Sequence, residues 1–157
     1  MDPHAYLALK TVHIVSSTVL FGTGIGTAFH FWWAHRSGHV PAIAAAARST
    51  VIADALFTSP AAIIQPATGI AMALYAGFPL GTTWIAAAFV LYGVAAACWI
   101  PVVFIQVRLR NIANACERDG APLPAEYHRL FRIWFALGWP AFAALVAVFW
   151  LLVAKPA

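Results

Sequence analysis

Charged side chains are scarce in this sequence. Asp, Glu, Lys and Arg make up 9% of its 157 residues, whereas a soluble domain carries roughly 25%. There are two cysteines and no CxxC motif, so no disulfide framework is indicated. A catalytic carboxylate pair, a Ser-His-Asp set and a phosphate-binding loop are also lacking. The composition excludes an ordinary soluble domain and predicts an integral membrane protein.

Long runs without charge locate the membrane spans. Thr11 to Ala34, Ala55 to Val107 and Ile133 to Ala154 contain no Asp, Glu, Lys or Arg. A helix needs about 20 apolar residues to cross the hydrocarbon core, and "AGFPLGTTW" (Ala76 to Trp84) breaks the middle run into two crossings. We predict an all-α fold, an integral membrane four-helix bundle that forms a single domain over residues 1–157. The predicted helices are 5–34, 48–77, 83–107 and 129–154.

The few basic residues predict the orientation. Lys10 and Lys155 lie at one end of a four-span bundle, and seven arginines lie in the two loops at the other end. The positive-inside rule places these loops in the cytoplasm and both termini outside, which suits a multi-pass protein of the bacterial inner membrane. The net charge of +4 therefore indicates contact with the lipid bilayer and not with nucleic acid. The loop arginines are Arg36, Arg48, Arg108, Arg110, Arg118, Arg129 and Arg132.

Polar residues of the first helix share one face. At about 100° per residue, Lys10, His13 and Ser17 lie along one stripe, and ionisable groups inside a span usually face the bundle interior. Lys10 is close enough to the helix end to reach the headgroups, whereas His13 lies deeper. Gly22 and Gly26 form a small-xxx-small pair that lets another helix approach closely.

The second helix contains two prolines inside the span. Pro60 and Pro66 are expected to kink it and to free backbone carbonyls. Gln65 lies mid-span, and a packing hydrogen bond is at least as good an explanation for it as a ligand site. Asp54 is expected at the cytoplasmic boundary, where Arg48 or another loop arginine pairs with it.

His13 is the strongest ligand candidate in the sequence. In a four-span topology, Met72 and Tyr92 lie at a similar depth, so these residues could surround one site. A neutral imidazole is a good axial ligand for haem iron, and a methionine thioether can be the second. A packed, hydrogen-bonded histidine is the alternative. Most of the tryptophans are expected in interfacial belts: Trp32, Trp33, Trp84, Trp99, Trp134 and Trp139.

The remaining histidines offer a weaker metal site. His35 and His39 have the i,i+4 spacing that suits zinc or copper on a helix. Gly38 and Pro41 make a helix there doubtful, and no carboxylate or cysteine completes the set nearby.

Three stretches of this sequence resemble a known group. "YLALKTVHIVSSTVLFGTGIGTAF", "SPAAIIQPATGIAMAL" and "LLVAKP" resemble a family of uncharacterised bacterial four-helix membrane proteins, a domain of unknown function. That family is similar to the CopD/HemJ-like superfamily of copper-resistance proteins and haem-binding protoporphyrinogen oxidases. The shared elements are Leu9, Lys10 and His13, and then Pro60 and Gly69. The resemblance implies that His13 is a haem ligand or an active-site residue.

The third helix departs from the HemJ type. Trp84 is present, but Ala88 occupies the position where that type has a lysine, and the helix contains no histidine. The resemblance therefore supports haem binding through His13 more than it supports oxidation of protoporphyrinogen. Because methionine is limited to Met1 and Met72, copper transport is supported less.

These observations lead to one main hypothesis. The protein is expected to bind haem b or a porphyrin and to have a redox role, either electron transfer or oxidation of a hydrophobic substrate such as a quinone. His13 would ligate the haem iron, and Lys10 would attract a propionate. The candidate cofactor-binding residues are His13, Lys10, Met72, Tyr92 and Ser17.

Two alternatives belong to other classes. The protein could be a non-enzymatic membrane subunit that packs against a partner or a second copy of itself, or it could handle copper. The sequence leaves open whether it is an enzyme.

Overall fold

Four long apolar helical segments dominate the computed structural model, which describes residues 3–156. No strand occurs within that range, which confirms the predicted all-α four-helix membrane bundle. The second segment is composite, because one π-helical turn, Asp54–Thr58, joins two α-helices without a break. The α-helices are α1 (Pro3–Ser37), α2 (Val40–Ala53), α3 (Ser59–Tyr75), α4 (Thr83–Asp119) and α5 (Ala125–Ala154).

Two helices extend well beyond their predicted bounds. The second segment begins at Val40 instead of residue 48, since Pro41 lies in its first turn, where a missing N–H costs nothing. Gly38 and His39 alone separate it from α1. The third segment, α4, continues past residue 107 to Asp119. Arginines end an apolar run, but they do not end a helix.

Tight turns connect the helices at both ends of the bundle. Gly77 and Gly120 have φ values of +74° and +61°, a conformation that glycine adopts without steric cost. We call the end with the α1–α2 and α4–α5 turns the basic end, and the end with both chain termini and the α3–α4 turn the terminal end. There, the Lys155 ammonium lies 5.8 Å from the ring centroid of Phe78 and 5.7 Å from that of Trp84, contacts that tie α5 to the α3–α4 turn.

The apolar core lies in the half of the bundle nearest the basic end. Phe31, Ile43, Leu109 and Tyr127 are its largest fully buried side chains, and the Phe31 ring meets those of Phe131 and Trp134 edge-on. α4 packs along α5 and also against α2, while α1 packs against α2 and α3. The α1 and α5 backbones approach each other at only a few positions, so these helices meet mainly through aromatic side chains such as Phe31 and Trp134. Space remains between the helices nearer the middle of the bundle.

Large apolar side chains cover the outside of the bundle. Examples exposed by more than two thirds are Ile63, Phe104, Trp150 and Val153. A soluble monomer does not present such a surface, whereas a helix in a bilayer does. The outer faces are therefore built for lipid.

The paired glycines of α1 belong to this outer surface. No described atom lies within 4 Å of a Cβ placed on Gly22 or Gly26. The close helix approach that their spacing predicts is therefore not made within residues 3–156.

Candidate functional site

A cavity of about 760 Å³ lies between the helices, and it is lined by residues of all four long segments. Four of the seven tryptophans line it, Trp32, Trp99, Trp134 and Trp139, together with other aromatic and small side chains. Asp54 also lines it, so we call it the Asp54 cavity. Its walls are mostly apolar, and its polar side chains come chiefly from the α2–α3 segment and from α4.

Asp54 is a buried carboxyl group in the membrane-spanning part of the chain. Its exposed fraction is 7%. The Gln106 side chain donates from Nε2 to Oδ2 over 2.6 Å, and the Trp99 indole donates to the same oxygen over 3.3 Å. The second oxygen, Oδ1, accepts no hydrogen bond from residues 3–156. One half of the carboxyl group is thus fixed by the protein, and the other half is available in the cavity.

A second layer of contacts holds Gln106 in place. Its Oε1 accepts a long hydrogen bond of 3.4 Å from the indole of Trp134 on α5, and its side chain is 3% exposed. Since an amide has a distinct donor and acceptor end, this contact orients Nε2 toward Asp54. Three helical segments therefore fix the carboxyl group.

Thr50 and Thr58 lie one turn before and one turn after Asp54. Both line the cavity, with exposed fractions of 3% and 4%, and neither hydroxyl has a hydrogen-bond partner in the described chain. The π-helical turn begins at Asp54, whose carbonyl accepts from the backbone N–H of Ser59, five residues on. Single π-turns are frequent at functional sites. Unpaired buried hydroxyls are uncommon in proteins, so this face is short of a polar partner.

Tyr92 marks the side of the cavity toward the terminal end. Pro66 has no N–H, so the carbonyl of Ala62, four residues earlier, loses its helical donor. The Tyr92 hydroxyl lines the cavity wall and donates to this carbonyl over 2.7 Å. Pro66 therefore frees a carbonyl, as the sequence predicts, and a side chain of α4 donates to it.

His13 lies at a separate polar junction between α1 and α3. Its Nδ1 is 2.7 Å from the Thr68 hydroxyl oxygen, and a Cβ on Gly69 would lie 3.4 Å from its Cε1. Thr68 donates its own proton to the Ile64 carbonyl over 2.7 Å, so its oxygen accepts from Nδ1–H. The network thus assigns the proton to Nδ1, and Nε2 keeps its lone pair.

Gln65 completes the junction. Its Nε2 donates to the His13 carbonyl over 2.6 Å and also to the Ser16 hydroxyl. This is the packing role that the sequence offered as one of two explanations for Gln65.

The model of one protein family matches almost the whole chain, including its four candidate membrane spans. The chain belongs to the family described as predicted integral membrane protein (DUF2269). The match covers residues 7–156. No curated protein and no solved structure matches the chain. Family membership therefore establishes the class of protein, while the relation to CopD and HemJ proteins, the haem site and copper handling stay predictions.

The predicted site residues do not form one contact group in this DUF2269 chain. Lys10 is exposed near the terminal end, and the Ser17 hydroxyl donates to the Ile14 carbonyl of its own helix. Met72 is half-buried, one turn from Thr68 toward the terminal end. Tyr92 reaches Ala62, whereas His13 reaches Thr68, so their polar atoms contact α3 about 9 Å apart along its axis.

Two expectations about neighbouring residues were wrong. Arg48 bonds to Asn114 and Glu117, at 2.8 and 2.6 Å, and does not pair with Asp54. Six residues along a helix place the two side chains on different faces. Trp99 and Trp134 are likewise not in an interfacial belt, because their indole N–H groups donate hydrogen bonds to Asp54 and Gln106 inside the bundle.

The histidines near the basic end do not complete a metal site. His35 lies in the last turn of α1, and His39 precedes α2, so they do not share a helix. His35 instead lies near His128, with ring centroids 5.8 Å apart. Within residues 3–156 no group of three or more His, Cys, Asp or Glu could hold a metal ion.

Proposed function

We propose that this protein binds a lipophilic small molecule inside the membrane, in the Asp54 cavity. The observation that carries the proposal is a large apolar space with one fixed, half-satisfied carboxyl group on its wall. Ligand pockets commonly measure about 300–1,000 Å³ and combine apolar walls with a few convergent polar groups. At about 760 Å³, the cavity suits a flat ring system such as a porphyrin or a quinone.

The four cavity tryptophans provide a direct test. The protein is reconstituted in lipid nanodiscs and titrated with decylubiquinone, which quenches nearby indole fluorescence. We expect saturable quenching. The variant Gly24→Phe, combined with Gly138→Phe, should weaken it about tenfold, or about 1.4 kcal/mol. Both glycines line the cavity, and no described atom lies within 4 Å of an added Cβ, so a side chain can leave the backbone there without a clash.

Gly22→Phe is the matched control. It adds the same side chain to α1, at a glycine that is not among the residues that line the cavity. Quenching that does not saturate, or that both variants leave unchanged, would refute binding in the cavity.

A second candidate function is haem binding at His13, and the tautomer favours it. Histidine ligates iron through a neutral nitrogen while the N–H on the other side of the ring donates to an acceptor of the protein, and Thr68 is such an acceptor for Nδ1–H. The residues fit one axial ligand, Nε2 of His13. The Asp54 cavity does not fit haem iron, since none of the described residues that line it is a His, Met or Cys.

Haem bound at His13 supplies one-electron chemistry at its iron. The contribution of the chain is orientation: Thr68 fixes the ring and its tautomer, and Gly69 leaves room for the imidazole. Lys10, about one turn nearer the terminal end, would meet a propionate.

Absorption spectra of the purified protein, oxidised and reduced, test this candidate. After expression with ample haem, we expect b-type bands that His13→Ala abolishes. Thr68→Val should retain haem but shift its reduction potential, because it leaves His13 in place and removes the acceptor for Nδ1–H. Unchanged bands in His13→Ala would place any haem elsewhere.

We also propose a location for the protein, supported by the distribution of its arginines. The basic end lies in the cytoplasm and the bilayer is the bacterial inner membrane, since seven arginines lie beside the spans at that end.

A further inference from the structure

The Asp54 cavity contains an acidic group and no basic one. Among the described residues, no Lys, Arg or His lines it. The groups that bond to Asp54, Gln106 and Trp99, are neutral donors. The nearest arginine along the chain, Arg48, is paired with Glu117. A carboxylate in a membrane interior normally has a partner that balances its charge, and residues 3–156 supply none here.

The unsatisfied atoms in the cavity are concentrated around this carboxyl group. Oδ1 of Asp54 has no donor, and the hydroxyls of Thr50 and Thr58, one turn to either side, have no partner within residues 3–156. Together they offer oxygen atoms from three successive turns of one helical segment. A group that presents N–H donors would satisfy all three, whereas a carbonyl could accept from a threonine hydroxyl but would leave Oδ1 without a donor.

The aromatic walls favour the same kind of group. Trp99 donates to the carboxyl group and Trp134 donates to Gln106, while Trp32 and Trp139 also line the cavity. The negative face of an indole ring attracts a cation, and it does so more strongly where water is excluded. Aromatic rings around a single carboxylate are a common way to bind ammonium groups.

We propose that the ligand of the Asp54 cavity is a lipophilic cation with an N–H donor, that is, a protonated amine on a hydrophobic body. Its ammonium lies against Oδ1 of Asp54 and the hydroxyls of Thr50 and Thr58, and its body lies among the tryptophans. This inference rests on the proposed binding function and names the substrate class of the same cavity.

A matched pair of probes tests the charge requirement. 1-Pyrenemethylamine is cationic at neutral pH, and 1-pyrenemethanol has the same ring system with a neutral head. Both accept energy from excited tryptophan, so binding in nanodiscs of phosphatidylcholine is followed as pyrene emission after tryptophan excitation. Empty nanodiscs correct for partitioning into lipid. We expect the amine to bind at least about tenfold more tightly than the alcohol, since charge-assisted hydrogen bonds are roughly twice as strong as neutral ones.

Two variants locate the source of this preference. Asp54→Asn keeps the shape and an acceptor for Gln106 but removes the charge, so it should bring the two probes to about equal affinity. Thr58→Val keeps the charge and removes one hydroxyl, so it should weaken the amine by only a fewfold and retain the preference. An unchanged elution profile and thermal midpoint show that the variants are folded.

The outcomes separate this inference from the proposed function. Equal binding of both probes to the wild type, blocked by Gly24→Phe with Gly138→Phe, would overturn the cationic ligand and leave the cavity function standing. A preference for the amine that survives in Asp54→Asn would also overturn it. Saturable binding of neither probe would count against both.

Discussion

At the scale of residues, single side chains decide how a backbone carbonyl freed by proline in the α2–α3 segment finds a hydrogen-bond donor. Pro66 takes a donor away from the Ala62 carbonyl, and Tyr92 supplies a replacement from another helix over 2.7 Å. The sequence predicted that the prolines would free carbonyls. It could not predict the donor, because Tyr92 lies 30 residues away along the chain and its direction depends on how α4 is rotated.

The pair predicts a non-additive effect on stability. Tyr92→Phe should lower the free energy of unfolding by about 1 kcal/mol, since an intramembrane acceptor loses its donor. In a Pro66→Ala background the helix provides its own N–H to Ala62, so the same change should cost much less. Unfolding of the four variants by SDS in mixed micelles measures the difference. Equal costs in both backgrounds would show that the tyrosine acts through packing and not through this carbonyl.

Residue types alone pointed to His13 and not to Asp54. A histidine inside a charge-free run is conspicuous, and the structure gives it a defined tautomer through Thr68. Asp54 stands at the edge of such a run, so it was placed at the boundary with an arginine partner. Thr50 and Thr58, four residues before and after Asp54, were the signal that could have identified an inward polar face of this helix. A residue at the membrane boundary needs no polar neighbours on its own face of the helix.

At the scale of helices, polar side chains form much of the α1–α3 contact. His13, Ser16, Gln65 and Thr68 form a connected group of hydrogen bonds, and Gly69 lies directly against the imidazole. Without a hydrophobic driving force between helices in lipid, small residues and polar contacts provide much of the association. Helix existence was predictable from charge-free runs, but which helices pair was not.

Gly69 and Gly26 should therefore respond differently to the same substitution. Gly69→Leu must displace the imidazole, since even a Cβ there would lie 3.4 Å from Cε1. It should cost about 1–3 kcal/mol, as overpacking does. Gly26→Leu meets nothing within 4 Å and should change stability by no more than about 0.5 kcal/mol. Thermal unfolding in detergent compares the two. A larger loss for Gly26→Leu would mean that the outer face of α1 is packed in the native protein.

For the whole molecule, the sequence predicted the fold class because lipid permits few alternatives. A chain that must satisfy its backbone inside a bilayer forms helices, and the broken middle run sets their number at four. The cavity was not predictable, since it lies between residues of all four long segments and depends on how far apart their backbones stay. Cavity shape depends on packing angles, which hydropathy does not contain.

The orientation proposed for the molecule can be checked by labelling. In a background of Cys98→Ala and Cys116→Ala, we expect Gly81→Cys to react with a membrane-impermeant maleimide in intact spheroplasts. Pro122→Cys, in the opposite turn, should react only after the membrane is permeabilised. The reverse pattern would invert the proposed topology while leaving the fold unaffected.

The most direct test of the central claim is the position of a bound ligand. Crystals grown from a lipid phase with a bromine-substituted aromatic amine would give an anomalous bromine signal. The account predicts a peak among Trp32, Trp99, Trp134 and Trp139, with the amine nitrogen within hydrogen-bonding distance of Oδ1 of Asp54. Bromine peaks confined to the outer, lipid-facing surface, with the cavity closed or filled by protein side chains, would contradict it.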